Sequence, residues 1–281
     1  MTAIYKRELK SYFQSMTGYV LTAFMVVFTG IYFMAYNLNS GYPYFSYVLL
    51  SINYILTMRS FAEERKSRTD QMLLSAPVSL TEVVLGKYLA MITVFAVPCV
   101  IFCTFPLIIK SFGTAYLKVD YLSILMFFLM GCVYISIGMF LSSLTESQII
   151  AAVTTFGALL LVYLWGGLTQ FLPTSKTSGM IGMVILLTIV AAVIYQMTKN
   201  WMISGIVEVI GVAIVVALSF VKAELFENLL VNLMEKLYIT EVFENIAVNR
   251  LFDVSGLLMY LTVIAVFVFF TMQSIQKRRW S

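Results

Sequence analysis

Long uncharged stretches are the feature that most restricts how this chain can fold. No charged residue occurs between Ser11 and Met58, and further uncharged stretches cover residues 88–109, 121–145 and 254–276. A helix needs about 20 apolar residues to cross the hydrocarbon core of a bilayer, so these stretches predict membrane-spanning helices. The composition agrees, because 61% of the 281 residues are hydrophobic and only 11% are charged. The sequence therefore predicts an all-α, polytopic transmembrane helix bundle.

The number of spans follows from where turn-forming residues interrupt these stretches. The first stretch is too long for one helix, and the run of Asn, Gly and Pro within residues 37–43 divides it in two. We therefore predict eight spans in one transmembrane domain that covers residues 1–281. Six spans are the alternative, if the pair between Gly179 and Val221 forms a re-entrant or interfacial hairpin. The predicted spans are residues 17–36, 44–62, 86–110, 120–142, 147–172, 179–198, 201–221 and 254–276.

Three segments outside these spans have their own patterns. Residues 1–16 are predicted to form an amphipathic helix on the membrane surface, because apolar side chains share one face and the basic residues lie elsewhere. Residues 63–85 form a charged connection between the second and third spans. In residues 222–253, leucines recur at helical spacing, which predicts helices that lie on the outer leaflet or cap the bundle. The apolar face of the first helix consists of Tyr5, Leu9, Tyr12, Phe13 and Met16.

The distribution of Lys and Arg predicts the orientation of the bundle. Twelve of the 18 lie in segments that eight spans would place on one side: the N-terminal residues, the stretch from Arg59 to Lys87, Lys199, and residues 277–279. Basic residues are concentrated in loops that face the cytoplasm. Both termini and the 63–85 connection are therefore predicted to be cytoplasmic. The net charge of +4 reflects this bias rather than a nucleic-acid partner, since no basic stripe lies on a soluble face.

Patterns of catalytic and cofactor-binding residues are missing from the sequence. The chain contains no histidine, which excludes Ser-His-Asp and Cys-His arrangements. Gly86 and Lys87 resemble the end of a phosphate-binding loop. Tyr88 and Thr81, however, stand where that motif requires Ser or Thr and its first Gly. We therefore predict that this chain is not an enzyme and binds no cofactor or metal by itself. Three cysteines inside predicted spans are interpreted as small apolar residues: Cys99, Cys103 and Cys132.

Glu208 is the only ionisable residue well inside a predicted span. At 1.5 Å per residue it lies about 12 Å beyond Asn200, a depth at which a carboxylate is costly unless it is protonated or paired. One interpretation is a proton-coupling or cation-coupling site, which would indicate a proton-coupled secondary transporter. The other is a neutral or water-contacting carboxyl inside the bundle, and the lack of an obvious basic partner in the sequence favours it.

Residues 59–79, "RSFAEERKSRTDQMLLSAPVS", include most of the charged connection and carry four basic and three acidic side chains between two apolar spans. Glu64 and Arg68 have the favourable acid-before-base spacing of four residues on a helix. Thr69 can cap a short helix from Asp70 to Ser75, which Pro77 ends. The sequence therefore predicts a short cytoplasmic helix within the connection.

This short helix is amphipathic and would expose Met72, Leu73 and Leu74 on a surface that lipid need not cover. An exposed apolar patch surrounded by charge more often marks a docking surface than a solvated loop. The sequence from Ser79 to Glu82 then matches a capping box and predicts the start of the helix that enters the third span.

Four segments of the chain, in order, resemble the gliding-motility-type branch of the ABC-2 permeases. The resemblance covers most of the chain except the stretch from about Gly179 to Val221. The four segments are "RELKSYFQSMTGYV", "RSFAEERKSRTDQMLLSAPVSLTEVVLGKYLA", "LSSLTESQIIAA" and "QSIQKRRW".

The resemblance implies the permease subunit of an exporter in the cytoplasmic membrane of a prokaryote. In that family a separate ATPase subunit binds ATP and Mg beneath the permease, and a second copy or a related permease completes the pathway. The gliding-motility branch also implies a membrane-anchored extracytoplasmic auxiliary protein as a possible partner.

The resemblance further implies that the 63–85 connection contains the coupling helix, which seats in a groove of the ATPase subunit. Family members often have Gly where this chain has Arg68, so the turn before the helix can differ. The residues that this assignment places at or near the ATPase contact are Glu63, Glu64, Arg65, Arg68, Thr69, Asp70, Leu73, Leu74 and Pro77.

Overall fold

The structure is a computed structural model of the chain, and in the residues it describes every regular element is an α-helix. The predicted second span, most of the 63–85 connection and most of the predicted seventh span lie outside these residues. The described residues are 1–37, 79–112, 116–169, 175–198, 201, 205, 208–213, 215, 229–236, 238–247 and 252–279.

Ten helices have both ends in the described part of the chain, and residues 208–213 are helical as well. Their bounds are α1 Thr2–Gln14, α2 Met16–Asn37, α3 Leu80–Phe102, α4 Phe105–Phe112, α5 Leu117–Leu144, α6 Gln148–Thr169, α7 Lys176–Thr198, α8 Leu229–Lys236, α9 Ile239–Ala247 and α10 Val254–Arg279.

Within the described residues, four stretches of helix are long and apolar enough to cross a membrane: Leu80–Ile108, Leu117–Leu144, Ile149–Thr169 and Val254–Lys277. Each overlaps one of the predicted spans. The helix α1 and the following stretch Gly18–Ile31 satisfy the same criterion only together, with a bend of 66° between them. The chain is therefore a multi-pass helical membrane protein, whereas the total of eight spans stays a prediction.

The helix α3 begins where the sequence predicts. Ser79 is its N-cap, and the Ser79 side chain accepts a hydrogen bond of 3.3 Å from the backbone N–H of Glu82. The helix continues through Pro98 to Phe102, and a turn at Cys103 and Thr104 joins it to α4. The predicted helix start after the charged connection is thus confirmed.

The chain divides into two compact units, and the first comprises residues 1–163 and 239–281. In this unit α3, α5 and α10 pack together around buried aromatic and methionine side chains. The ring of Phe95 stacks on Phe128 at a centroid distance of 5.8 Å and on Phe127 at 6.1 Å. The core of this unit is therefore a layer of large apolar side chains between the long helices.

The helix α9 belongs to the first unit and packs against α5 and α10. Its buried side chains are spaced as one helical face, and Tyr134, near the middle of α5, lies 3.2 Å from Thr240 between hydroxyl oxygens. This part of the predicted 222–253 segment is held against the protein core, and its position on the outer leaflet or as a cap of the bundle stays a prediction. The buried side chains are Ile239, Val242, Phe243 and Ile246.

The second unit comprises residues 164–238 and contains α7 and α8, which pack against each other. The indole Nε1 of Trp165 donates a hydrogen bond of 2.7 Å to the backbone carbonyl of Met234, at the end of α8. Residues 208–213 are helical, and Gly211 faces the side chain of Leu187 on α7.

Candidate functional site at the contact between α1 and α3

The predicted ATPase-contact residues lie outside the residues that the structure describes. The described chain resumes at Ser79, within the 63–85 connection, and α3 is the described helix that begins there. The role of the connection stays a prediction for all nine of its candidate residues: Glu63, Glu64, Arg65, Arg68, Thr69, Asp70, Leu73, Leu74 and Pro77.

The helix α1 packs against α3 through a close apolar contact. Ile4 is buried, and a Cβ atom added at Gly86 would lie 3.2 Å from Cγ2 of Ile4, tighter than an ordinary van der Waals contact. Glycine at this position therefore lets the two helices approach closely. Further along α1, Tyr12 is buried in the core of the same unit.

A hydrogen bond between side chains also joins α1 to α3. The hydroxyl oxygens of Tyr5 and Thr93 are 3.0 Å apart, and Thr93 donates its own proton to the carbonyl of Leu89 at 2.8 Å. Because a threonine hydroxyl has one proton, Tyr5 is the donor between the two hydroxyls.

The same contact contains a buried ion pair. Nζ of Lys87 lies 3.4 Å from Oε1 of Glu8, which also accepts a hydrogen bond of 2.8 Å from Nη2 of Arg7. The Lys87 side chain is 1% exposed and the Glu8 side chain 14%. A buried charge is costly unless it is paired, so the acid on α1 compensates for a cation inside α3.

Sequence reasoning did not find this pair, although two signals for it were present. Lys87 lies within the predicted third span, residues 86–110, where an ammonium group needs a partner. Glu8 is the single acidic residue in the predicted 1–16 helix. The Gly86-Lys87 dipeptide resembles part of a phosphate-binding loop, but in the structure it contacts α1. Gly86 leaves space for Ile4, and Lys87 forms an ion pair with Glu8.

The predicted N-terminal helix is present as α1, but protein covers part of the face that was expected to meet the membrane. Ile4 and Tyr12 are buried against the rest of the unit, whereas Met16, which lies at the start of α2, is 83% exposed. Lys6 and Lys10 are exposed, as the helical pattern predicts. The position of α1 on a membrane surface stays a prediction.

Glu208 is half-buried in the second unit, and its Oε1 lies 3.2 Å from the hydroxyl oxygen of Thr188 on α7. The single proton of that hydroxyl is shared between Glu208 and the carbonyl oxygen of Val184, which lies 3.0 Å away. The contact joins the two predicted spans on either side of residues 199 and 200. It provides a polar partner for the carboxyl group, and a threonine hydroxyl can donate to a carboxylate or accept from a carboxylic acid.

Among the residues that the structure describes, no group of three or more Cys, Asp or Glu side chains could hold a metal ion. The expectations that this chain binds no metal or cofactor, and that it is not an enzyme, stay predictions.

These helices define a multi-pass, all-helical membrane protein. Residues 6–204 match the family described as ABC-2 family transporter protein, which is more than half of the chain. The chain therefore belongs to the ABC-2 transporter family, whose members are the permeases of ABC transporters. Searches of curated proteins and of solved structures gave no match.

The family match agrees with the resemblance at the level of the ABC-2 permeases. It also includes residues 179–204, part of the stretch that the resemblance leaves out, and ends before the C-terminal segment "QSIQKRRW". It does not distinguish the gliding-motility branch from other members.

Proposed function

We propose that this chain is the transmembrane permease subunit of an ATP-driven exporter of the gliding-motility-type ABC-2 branch. Its ATP and Mg would be bound by a separate ATPase subunit at the cytoplasmic face. The observation that supports the proposal is the family match over residues 6–204, because ABC-2 permeases in general work with an ABC ATPase. The orientation with both termini in the cytoplasm, in a prokaryotic cytoplasmic membrane, is part of the proposal.

The transport pathway would require a second permease, either a copy of this chain or a related one. Closure of two ATPase subunits would displace the coupling segments, and the spans would tilt between two packed arrangements that nucleotide binding stabilises differently. A membrane-anchored extracytoplasmic protein would be the further partner that the gliding-motility branch implies.

The coupling segment would dock through a few apolar side chains. Truncating a buried anchor in a helix-in-groove contact typically costs about 2 kcal/mol or more of binding. Leu73 and Leu74 are the candidate anchors, and the charges around them would set orientation and the rate of encounter more than affinity. The helix α3 begins directly after Ser79, so it follows this segment closely in the sequence.

The test is the double substitution Leu73→Asp with Leu74→Asp in the full-length permease, co-expressed with the ATPase encoded beside it. That partner is recognised by its G-x-x-x-x-G-K-[ST] motif. We expect the ATPase to be lost on co-purification while the permease still inserts, because both substitutions lie outside every predicted span.

The matched control reverses both charges of the Glu64 and Arg68 pair on the same segment. An exposed pair at this spacing contributes only about 0.3–0.5 kcal/mol, so this variant should retain most of the ATPase. Retention of the ATPase by the Leu73 and Leu74 variant at the wild-type level would show that the connection is not the docking site.

A second candidate function is proton-coupled secondary transport through Glu208. The observation that favours it is the hydrogen bond from Thr188, which gives the carboxyl a polar partner in a segment predicted to span the membrane. Under the ATP-driven proposal, Glu208→Gln leaves the ATPase activity of the assembled complex largely intact. Transport by the purified permease alone under a proton gradient, abolished by the same substitution, would instead support the second candidate.

A further inference from the structure

The ion pair between Glu8 and Lys87 lies where a displacement of the coupling segment would pass from α3 to α1. Lys87 follows Gly86, where α1 approaches α3 closely through Ile4. Its side chain is almost completely buried, and Glu8 supplies the carboxylate from the other helix. The two helices are therefore joined by the apolar contact of Ile4, by the hydrogen bond between Tyr5 and Thr93, and by two ion pairs. The pair of Glu8 with Lys87 is buried, and the pair of the Met1 amino group with Glu82, at 3.5 Å, is exposed.

The apolar and the charged contacts resist displacement differently. Apolar side chains such as Ile4 can slide over a glycine while they stay out of water, because their attraction has no preferred direction. A buried ion pair cannot be separated by a similar shift without leaving charge in a medium that solvates it poorly. The Glu8–Lys87 pair is the buried ion pair of this interface, so it resists a shift of α1 along α3 more strongly than the exposed pair of the Met1 amino group with Glu82.

We propose that Glu8 and Lys87 are positioning residues that lock α1 to α3, so that α1 moves together with α3 when the coupling segment is displaced. This inference rests on the proposed function, because the ATPase subunit supplies the displacement. In this role α1 is not a passive anchor. It moves with α3 and so displaces the beginning of α2, the next helix in the chain.

If the pair had a purely structural role, α1 would follow α3 with or without it. A variant that lacks both charges therefore distinguishes the structural role from the positioning role. Replacing both partners of a buried ion pair by neutral groups is often close to neutral for stability. The double variant Glu8→Gln with Lys87→Met should therefore keep its fold. Its α1 should stay in place at rest, through the contacts of Ile4 and Tyr5 with α3.

The experiment measures distances between spin labels on the full-length permease in nanodiscs, assembled with its ATPase subunit. Labels are placed at exposed positions Lys6 on α1, Leu89 on α3 and Lys277 on α10, in pairs, on a chain without its native cysteines. Labelled chain is diluted with unlabelled chain so that distances within one copy dominate. Each pair is measured without nucleotide and with a non-hydrolysable ATP analogue.

In the wild type we expect the nucleotide analogue to change the distances from Lys277 to both Leu89 and Lys6, and to leave the distance between Lys6 and Leu89 unchanged. In the double neutral variant, the change between Leu89 and Lys277 should persist. The change between Lys6 and Lys277 should fall below about half of its wild-type size, because α1 no longer follows α3. Lys10→Met, which removes an exposed charge from α1, should behave as the wild type.

Three results would overturn the inference, and one of them would also contradict the proposed function. If α1 follows α3 in the double variant as it does in the wild type, the pair is a structural contact only. If α1 does not follow α3 in the wild type, the helices are not locked. If the nucleotide analogue leaves the distance between Leu89 and Lys277 unchanged in the wild type, the proposed function fails as well.

Discussion

Two short helices, α1 and α9, pack against long helices of the same unit, but they are held by different chemistry. At α1 the contact with α3 includes the ion pair of Glu8 and Lys87. At α9 the described contacts with α5 and α10 are uncharged, and the hydroxyl of Tyr260 donates a hydrogen bond of 2.8 Å to the carbonyl of Ile239. The ring of Phe243 on α9 also packs against the ring of Phe127 on α5.

The difference follows from where each contact lies along the long helices. Lys87 is about 10 Å from the start of α3, near the end of that helix, where the Glu8 carboxylate of α1 reaches its ammonium group. Tyr134, which contacts α9, is near the middle of α5, where a charge would face lipid or apolar protein. The contact at α1 therefore includes a paired charge, whereas the polar contacts at α9 are made by hydroxyl groups.

The largest expected effect is at the charged contact. Glu8→Gln removes a carboxylate 3.4 Å from an ammonium group that is almost completely buried, which should cost up to about 3 kcal/mol of unfolding free energy. Lys87→Met should cost less, because Glu8 is partly exposed and water can solvate its carboxylate.

Reversible unfolding in mixed micelles measures both variants, with Lys10→Met as the control for an exposed charge. The double variant Glu8→Gln with Lys87→Met should be more stable than Glu8→Gln alone. Equal costs for the two single variants would contradict the asymmetry argued from their burial.

The second effect concerns close packing at α9. A Cβ atom added at Gly256 would lie far inside van der Waals contact with the branched side chain of Val242. Gly256→Ala should therefore force α9 away from α10 and cost about 1–3 kcal/mol of unfolding free energy.

The matched control is Gly157→Ala on α6, where nothing lies within 4 Å of the added atom. It should leave the unfolding free energy unchanged or raise it slightly, because alanine has the higher helix propensity. A similar loss in both variants would show that the Gly256 effect is unrelated to α9.

A smaller effect is expected when a hydroxyl is removed from the uncharged contact. Tyr260→Phe deletes the hydrogen bond to the carbonyl of Ile239 and keeps the buried ring. Hydrogen bonds between helices in membrane proteins contribute about 0.6 kcal/mol on average, so the loss should be of that order. The same unfolding titration measures this loss of unfolding free energy. A loss as large as that of Glu8→Gln would show that the charged contact at α1 and the uncharged contact at α9 are not energetically different.

The smallest effect is expected at Gly86, the close contact beside the ion pair. The added Cβ atom of Gly86→Ala would meet Ile4 at 3.2 Å, which a shift of a few tenths of an ångström relieves. The gain in helix propensity offsets this strain, so the net change should stay within about 1 kcal/mol. The comparison with Gly256→Ala tests whether α1 can adjust its position on its long helix more readily than α9 can.

Local signals in the sequence were sufficient for much of the fold. Apolar stretches of the required length predict the four helices that, among the described residues, are long and apolar enough to cross a membrane, because the bilayer sets that length for any chain. The N-cap at Ser79 was predictable from four consecutive residues, since a cap needs only its own helix. The charged connection was the clearest functional signal in the sequence, and its proposed docking role depends on a partner that the chain does not contain.

Only the tertiary structure decided which surfaces meet. The amphipathic pattern of α1 is the same whether lipid or protein covers its apolar face, and the structure places Ile4 and Tyr12 against protein. The pairing of Glu8 with Lys87 joins residues far apart in sequence, so no local propensity specifies it. Helical periodicity likewise predicts α9 but does not determine that Thr240 reaches the middle of α5. Length and polarity determine that a segment is a helix in or near a membrane, whereas its neighbours depend on shape and charge brought together by the whole fold.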